Sequence, residues 1–437
     1  MAGGEPTQSP DSDAEFRADA ERSGLVVPPP RDVSPWIVVG LSCVIVVAAL
    51  GVGYATGWFN PSSPGQGKGY SLPSSCSTYY ATLHGSVFST APTSFNDSIA
   101  NLTSAYTQTT SRCIGFTVNG SDPSGALTSL ATGSTTFAFV PMPLTNSQLA
   151  IAGAPVDQIP LFVRGITVAY NPTGLPADLH LSASALAGVF LGTVTHWDSA
   201  VVAQDNPGAN LSGAPSVVPV VMAGTTPANY GFSHFLAESN SSWASSEGFG
   251  GSVTGPVGVP AAGDAGALAK VAATPGAIGY WETGATGPIG VDVAAVQNPA
   301  GTFTTPTPSN VTNATESIGY ETPGLSAEWT NVTFGNATAT DAYPVVELGF
   351  ADLYNDVGKA YHGTLSAYDA WWLLTFFNWV TSHGEGILAP LGFVTPPQSV
   401  TALDGFIVSD VAYNGNSVIA GPNEENGTAD GGETGVF

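Results

Sequence analysis

The chain is expected to fold as an α/β protein, with strands layered against helices, because short apolar runs alternate with helical ones along it. Residues 137–142 (FAFVPM) and 165–170 (GITVAY) are short, apolar and bounded by turn formers, as buried strands are. Residues 182–191 predict a helix capped by Ser182 or Ser184. Residues 367–384 (AYDAWWLLTFFNWVTSHG) predict a second helix, stopped by Gly384. The aromatic cluster in that helix (Trp371, Trp372, Phe376, Phe377, Trp379) suits core packing better than ligand stacking. With 437 residues the chain is long enough for two or three lobes around a substantial core.

In chain order, residues 1–35 are polar, rich in Pro and acids, and without apolar periodicity, which predicts a disordered cytoplasmic tail. Residues 36–59 (WIVVGLSCVIVVAALGVGYATGWF) are 24 uncharged residues. About 20 apolar residues cross a bilayer as a helix, and Trp36, Tyr54, Trp58 and Phe59 flank the run as interfacial aromatics do. A cleaved signal peptide is the other reading. The long preceding tail and the length of the apolar run favour an uncleaved N-terminal transmembrane helix. Arg17, Arg22 and Arg31 precede the span while Lys68 follows it, which puts the N-terminus inside and the remainder at the cell exterior. Asn-x-Ser/Thr sequons at Asn96, Asn101, Asn119, Asn210, Asn240, Asn310, Asn313, Asn331, Asn336 and Asn426 all lie after the span, as in an exterior glycoprotein. Residues 60–78 form a Pro/Gly/Ser linker, 79–411 the globular part, and 412–437 a loose tail.

Charged residues make up only 9% of the chain, against a typical ~25%. The net charge of −25 reflects missing bases, since there are 8 Lys and Arg in all. Such a chain lacks the dense basic patch that nucleic acid requires. A surface poor in both signs suits an acidic exterior, where carboxylates lose their charge. Cys76 and Cys113 follow the span and either form one disulfide in that oxidising exterior or remain two buried thiols. The six histidines have no zinc spacing, and neither a Gly-x-Ser-x-Gly elbow nor a P-loop is present. No catalytic residue, metal or cofactor is therefore assigned.

Longer motifs carry a family resemblance. Residues 186–208 (LAGVFLGTVTHWDSAVVAQDNPG) and 274–282 (TPGAIGYWE), with GDAGALAKV before the latter, resemble the PstS-type phosphate-binding proteins, the soluble receptors of phosphate ABC transporters. FAFVPMPLTNSQL, IPLFVRGITVAYNPTGL and YPVVELGF resemble further segments of that family in the same order, over roughly residues 80–410. The resemblance implies a two-lobed periplasmic-binding-protein fold of type II, a flytrap, with lobe 1 at about 79–168 and 345–411 and lobe 2 at about 169–344. It makes His196-Trp197-Asp198 a structural turn rather than a catalytic group.

The family holds phosphate through hydroxyls, amides at helix N-termini, one Arg and one Asp. Its Gly-x-Thr-Phe loop falls on Gly85, Ser86, Val87 and Phe88, with Ser86 or Ser89 in place of the lost Thr hydroxyl. Its Gly-Ser-Ser-Gly-Gly loop falls near Ser121, Asp122, Pro123, Ser124 and Gly125, offering Ser121 or Ser124. The family Asp falls on Pro141, and the Arg-x-Asp-Gly-Ser-Gly-Thr loop on residues 221–227, with no Arg or Asp there. Gly224, Thr225 and Thr226 still offer amides and hydroxyls, because Thr226-Pro227 has the pattern of an N-cap followed by Pro in a first helical turn. Arg164 beside the lobe crossing either replaces the missing positive charge or is ion-paired structurally, and Asp122 is a candidate replacement acceptor. Two functions remain open at this level. One is a membrane-anchored receptor of phosphate or a related oxyanion that serves an ABC transporter permease, suited to an archaeal cell surface. The other is a surface structural or adhesion protein with a vestigial cleft.

Overall fold

The structure, a computed structural model, describes residues 81–88, 101–102, 104–106, 114–121, 123–284, 290–315, 328–330, 332, 339–360, 367–389, 392–396 and 411–417. The expected tail, membrane span and linker, the Cys76–Cys113 pair and Asp122 lie outside the described residues. Among the described residues, no helix is long and apolar enough to cross a membrane.

The main sheet is built from β1 (Ala81–Phe88), β2 (Ile114–Ser121), β3 (Phe137–Val140), β4 (Val156–Tyr170), β5 (Val218–Met222), β6 (Val259–Ala261), β7 (Ala277–Glu282), β8 (Val346–Tyr354) and β9 (Phe393–Val394). The spatial order is β2-β1-β3-β8-β4-β7-β5-β6, with β9 and the short tenth strand Asp292–Val293 also on β4. β1, β2 and β3 are mutually parallel, as are β5, β6 and β7; β8 and β4 join the two sets by antiparallel pairing. Helices cover the sheet: α1 (Pro123–Ala131), α2 (Ala183–Phe190), α3 (Pro227–Ser239), α4 (Gly263–Ala273), α5 (Pro308–Thr315) and α6 (Ala367–His383). The mixed α/β layers are those expected from the sequence.

β4 is the spine of the molecule. Its 15 residues are all buried. Val156–Gly165 pair with β8, and Ile166–Tyr170 pair with β7, so one strand belongs to both halves of the sheet. Its second half is the expected strand at 165–170. Its first half contains Asp157, Gln158, Pro160 and Arg164, which break local strand patterning; pairing with β8, far away in sequence, makes it a strand. At the transition sits Gly165, where a Cβ would come within 3.0 Å of Thr283 Oγ1 and of Val311 Cγ2. Glycine is therefore needed for close approach, not for flexibility.

The expected helices form with their caps. Ser182 accepts from the Ala185 amide at 3.2 Å and opens α2. α6 ends at His383, and its Phe377 packs edge-on against Phe137 and Phe139 at 5.5 and 6.0 Å. Phe376 and Trp379 meet Tyr106 in the same way, at 5.4 Å each, so these rings are core. In lobe 2, Phe232 of α3 stacks on Tyr280 of β7 at 4.1 Å, and Phe190 of α2 abuts both. Trp197 is fully buried and donates Nε1–H to the Gly276 carbonyl at 3.1 Å. The His196-Trp197-Asp198 turn is thereby tied to the PGAIG turn, joining the two longest family-like motifs. One expectation is corrected. Residues 412–417, assigned to the loose tail, form a hairpin (Ala412–Tyr413 with Asn416–Ser417). Asn414 and Gly415 take positive φ, 54° and 83°, and their amides bond Asp356 at 2.8 and 2.9 Å. Asn-Gly is the turn that a two-residue hairpin favours.

In lobe 1, buried Asp352 on β8 accepts from Gln158 Nε2 at 3.1 Å, while its second oxygen has no partner. Burial pushes its carboxyl up to about 8. Between an unfolded value of ~3.9 and that level, the folded chain keeps a proton that the unfolded chain has lost, so this contribution to stability is complete at low pH and is lost as pH rises through about 8. The melting temperature is expected to fall from pH 5 to pH 9. Asp352→Asn should remove part of that slope in calorimetric scans; an unchanged slope would contradict the assignment.

Candidate functional site

Strand directions fix where a cleft lies. β4 runs parallel to β3 and antiparallel to β7, so both parallel sets aim their carboxyl ends at residues 164–166. Open α/β sheets bind ligands outside those ends. On lobe 1, Phe88 ends β1 in register with Ser121 at the end of β2, and Ser86 lies two residues earlier on β1. Ser124 is in the first turn of α1, and Pro141 directly follows β3. On lobe 2, Met222 at the end of β5 pairs with Ala261 at the end of β6. Gly224, Thr225 and Thr226 link β5 to α3, Asp264 opens α4, and Glu282 ends β7. The backbone therefore brings the sequence-predicted residues to two edges facing across β4.

The loop before α3 is tightly held. Gly224 adopts φ 81°, in the left-handed region that glycine favours. Thr226 caps α3 by accepting from the Asn229 amide at 3.0 Å, with Pro227 at the first helical position. Asn229 Nδ2 donates to the carbonyls of Met222 and Gly224 at 3.1 and 2.9 Å, and Tyr280 donates to Asn229 Oδ1 at 2.7 Å. Thr226 also donates its amide to the Gly251 carbonyl at 2.8 Å and is fully buried. Its groups thus hold the loop, whereas half-buried Thr225 shares a 2.7 Å hydrogen bond with exposed Ser252 and presents its hydroxyl at the surface. Across the gap is Met142 of lobe 1. A Cβ on Gly251 would lie 2.8 Å from Thr225 Cγ2 and 3.1 Å from Met142 Sδ, so the lobes touch here.

At the lobe crossing, Arg164 is buried and committed. Nη1 pairs with Glu282 Oε1 at 3.2 Å, Nε donates to the Thr283 carbonyl at 2.8 Å, and the guanidinium lies 4.3 Å over the Phe393 ring. Its Nη2 has no hydrogen-bond partner. Beside this pair lie Asp264 and Glu347, buried as deeply, and neither carboxyl completes a hydrogen bond. Burial, followed by the charge of Glu282, pushes both well above the usual carboxylate range, against the opposing pull of Arg164. Both carboxyls therefore hold their protons to higher pH than a solvent-exposed acid does. Among the described residues, no group of three or more His, Cys, Asp or Glu is placed to hold a metal ion.

The site thus offers the Gly224–Thr225 loop ahead of a helix whose cap and third-residue amides are already taken, an apolar lobe-1 lip and one internally neutralised charge at the lobe crossing. Sequence reasoning missed Asn229, Met142, Asp264 and Glu347. Only Asn229 had a local signal, as the third helical residue after Thr226-Pro227.

A family model described as PBP superfamily domain matches residues 72–383. The phosphate-binding protein PstS of Xylella fastidiosa (strain Temecula1) is 27% identical over 274 residues, 61% of this chain and 70% of that protein. The PstS of Methanocaldococcus jannaschii is 28% identical over 260 residues, 56% of this chain and 65% of that protein. The crystal structure of a phosphate-binding protein from Stenotrophomonas maltophilia superposes with a TM-score of 0.52 at 15% identity, covering 78% of this chain and 99% of that one. The chain therefore belongs to the PBP superfamily, and within it to the PstS-type family.

Proposed function

We propose that this chain is a membrane-anchored, extracytoplasmic solute-binding protein that captures phosphate or a related oxyanion between its lobes and presents it to an ABC transporter permease. The observation that carries this reading is the start of α3. A preorganised Gly224–Thr225 loop at a helix N-terminus lies at the carboxyl edge of lobe 2, facing lobe 1. Helix N-termini favour anions through free amides and the positive end of the dipole. The relatives matched along the chain are PstS proteins named for binding phosphate.

In this reading Gly224 and Thr225 contact the ligand, Thr226 and Asn229 hold their loop, and Ser86, Phe88, Ser121 and Ser124 complete the cage from lobe 1. Arg164 lies beneath, its charge already neutralised by Glu282. So weak a counter-charge suits an oxyanion that is itself partly protonated, as phosphate is at acidic pH. Residues 36–59 anchor the protein with its N-terminus inside, and the sequon-bearing remainder is glycosylated outside.

Calorimetric titration of the full chain in detergent with inorganic phosphate at pH 3, 5 and 7 tests the ligand. Micromolar or tighter binding at acidic pH is expected, weakened about tenfold by Thr225→Ala, the scale of one hydrogen bond to a charged group. Absence of heat at every pH, with the protein folded, overturns it. For the anchor, protease added outside right-side-out vesicles should digest everything after residue 60 and spare the N-terminal tail.

A further inference from the structure

The four buried groups at the lobe crossing have a charge imbalance that binding alone does not explain. Arg164 on β4 is directly opposite Glu347 on β8, and Ile166 is opposite Glu282 on β7. Opposed residues of an antiparallel pair share a face, as do residues two apart on one strand. Arg164, Glu347 and Glu282 therefore project to one side, where Asp264 meets them from the start of α4. Asp264 and Glu282 lie on α4 and β7, while Arg164 and Glu347 sit on the crossing strands β4 and β8. Among the described residues, no further charge acts on Asp264 or Glu347. α3 passes with Gly231, where a Cβ would lie 3.5 Å from Glu347 Cβ, and β9 covers Arg164 with the Phe393 ring. The charges acting on Asp264 are Glu282 and Arg164, and those acting on Glu347 are Glu282, Arg164 and Asp264. All four residues are 1–3% exposed.

We propose that Arg164, Glu282, Asp264 and Glu347 form a proton-operated latch: the lobes stay closed while Asp264 and Glu347 hold their protons, and open when both ionise. With both protonated, the cluster is one guanidinium against one carboxylate and carries no net charge. With both ionised it carries three carboxylates against that guanidinium, a net −2 sealed from water. Buried unpaired carboxylates demand hydration. Water enters by withdrawing α4 and β7 from β4 and β8, a separation about the Gly165–Ile166 transition. The closed form holds the extra protons, so closure is complete at low pH and is lost as pH climbs through the raised range of the two acids. The same ionisation places negative charge beneath the cleft and disfavours an anion there. That last consequence rests on the proposed oxyanion site; the opening itself does not.

The test uses the full chain in detergent, comparing wild type with an Asp264→Asn/Glu347→Gln double variant that mimics the protonated cluster. Hydrogen–deuterium exchange, corrected for intrinsic pH dependence, is read at residues 164–170 and 346–350. Wild-type protection is expected to fall about tenfold or more from pH 4 to pH 8, while the variant stays protected. The ratio of wild-type to variant Kd for inorganic phosphate, in which the titration of phosphate itself cancels, is expected to rise about tenfold over the same range. Protection that is flat in the wild type, or that falls equally in the variant, overturns the latch. Phosphate that never binds, with the exchange behaving as expected, overturns the oxyanion reading and leaves the latch standing. Should the double variant fail to fold, Glu347→Gln alone must remove part of the pH dependence, and no change in it overturns the proposal.

Discussion

Everything in this molecule depends on one strand being shared by two half-sheets. β4 is fully buried along its length and changes partners from β8 to β7 between Gly165 and Ile166. A side chain at that point must satisfy both halves at once. Arg164 does so by pairing with Glu282 of lobe 2 while lying across from Glu347 of the other crossing strand. A buried ion pair gains little net stability over an apolar pair of similar volume, but losing one partner is costly. Its structural consequence is therefore registry: it fixes which end of β7 faces which point of β4, and with that the separation of the two cleft edges.

The cleft that results is built mostly from neutral donors. Asn229 clamps the carbonyls of Met222 and Gly224, Tyr280 clamps Asn229, and Thr226 spends both amide and hydroxyl on the frame. In the proposed function the ligand meets a loop whose shape is set by folding, so little ordering entropy would be lost on binding. Charge is scarce here for the same reason that it is scarce in the whole chain: with 8 bases among 437 residues, an arginine-rich anion site is not available. Buried acids with raised proton affinity appear in both lobes, at Asp352, Asp264 and Glu347. Their common physical effect is to make the folded chain a proton binder, in keeping with the acidic exterior that the composition suggests.

What was legible in the sequence was local. Ser182 and Thr226-Pro227 announced helix starts because capping is decided within four residues. The aromatic helix ending before Gly384 was readable from its punctuation, and the order of the family-like motifs implied the two-lobed arrangement. What stayed hidden was non-local. The first half of β4 looks broken by Asp157, Pro160 and Arg164 until β8 pairs with it. Asp264 and Glu347 are 83 residues apart and carry no spacing signal; only the topology of four strands and a helix brings them together around Glu282. The hairpin at Asn414-Gly415 was readable but lay in a stretch whose polarity suggested a tail.

A lobe crossing set by this ion pair requires Arg164 and Glu282 to act as one unit. A double-mutant cycle with Arg164→Met and Glu282→Gln, followed by denaturant unfolding at pH 5, measures this directly. Each single change is expected to cost about 3–5 kcal/mol, the double change far less than their sum, and the coupling to be ~2 kcal/mol or more. A coupling within about 0.5 kcal/mol of zero would mean that the two residues act independently, and would contradict the claim that this pair sets the lobe crossing.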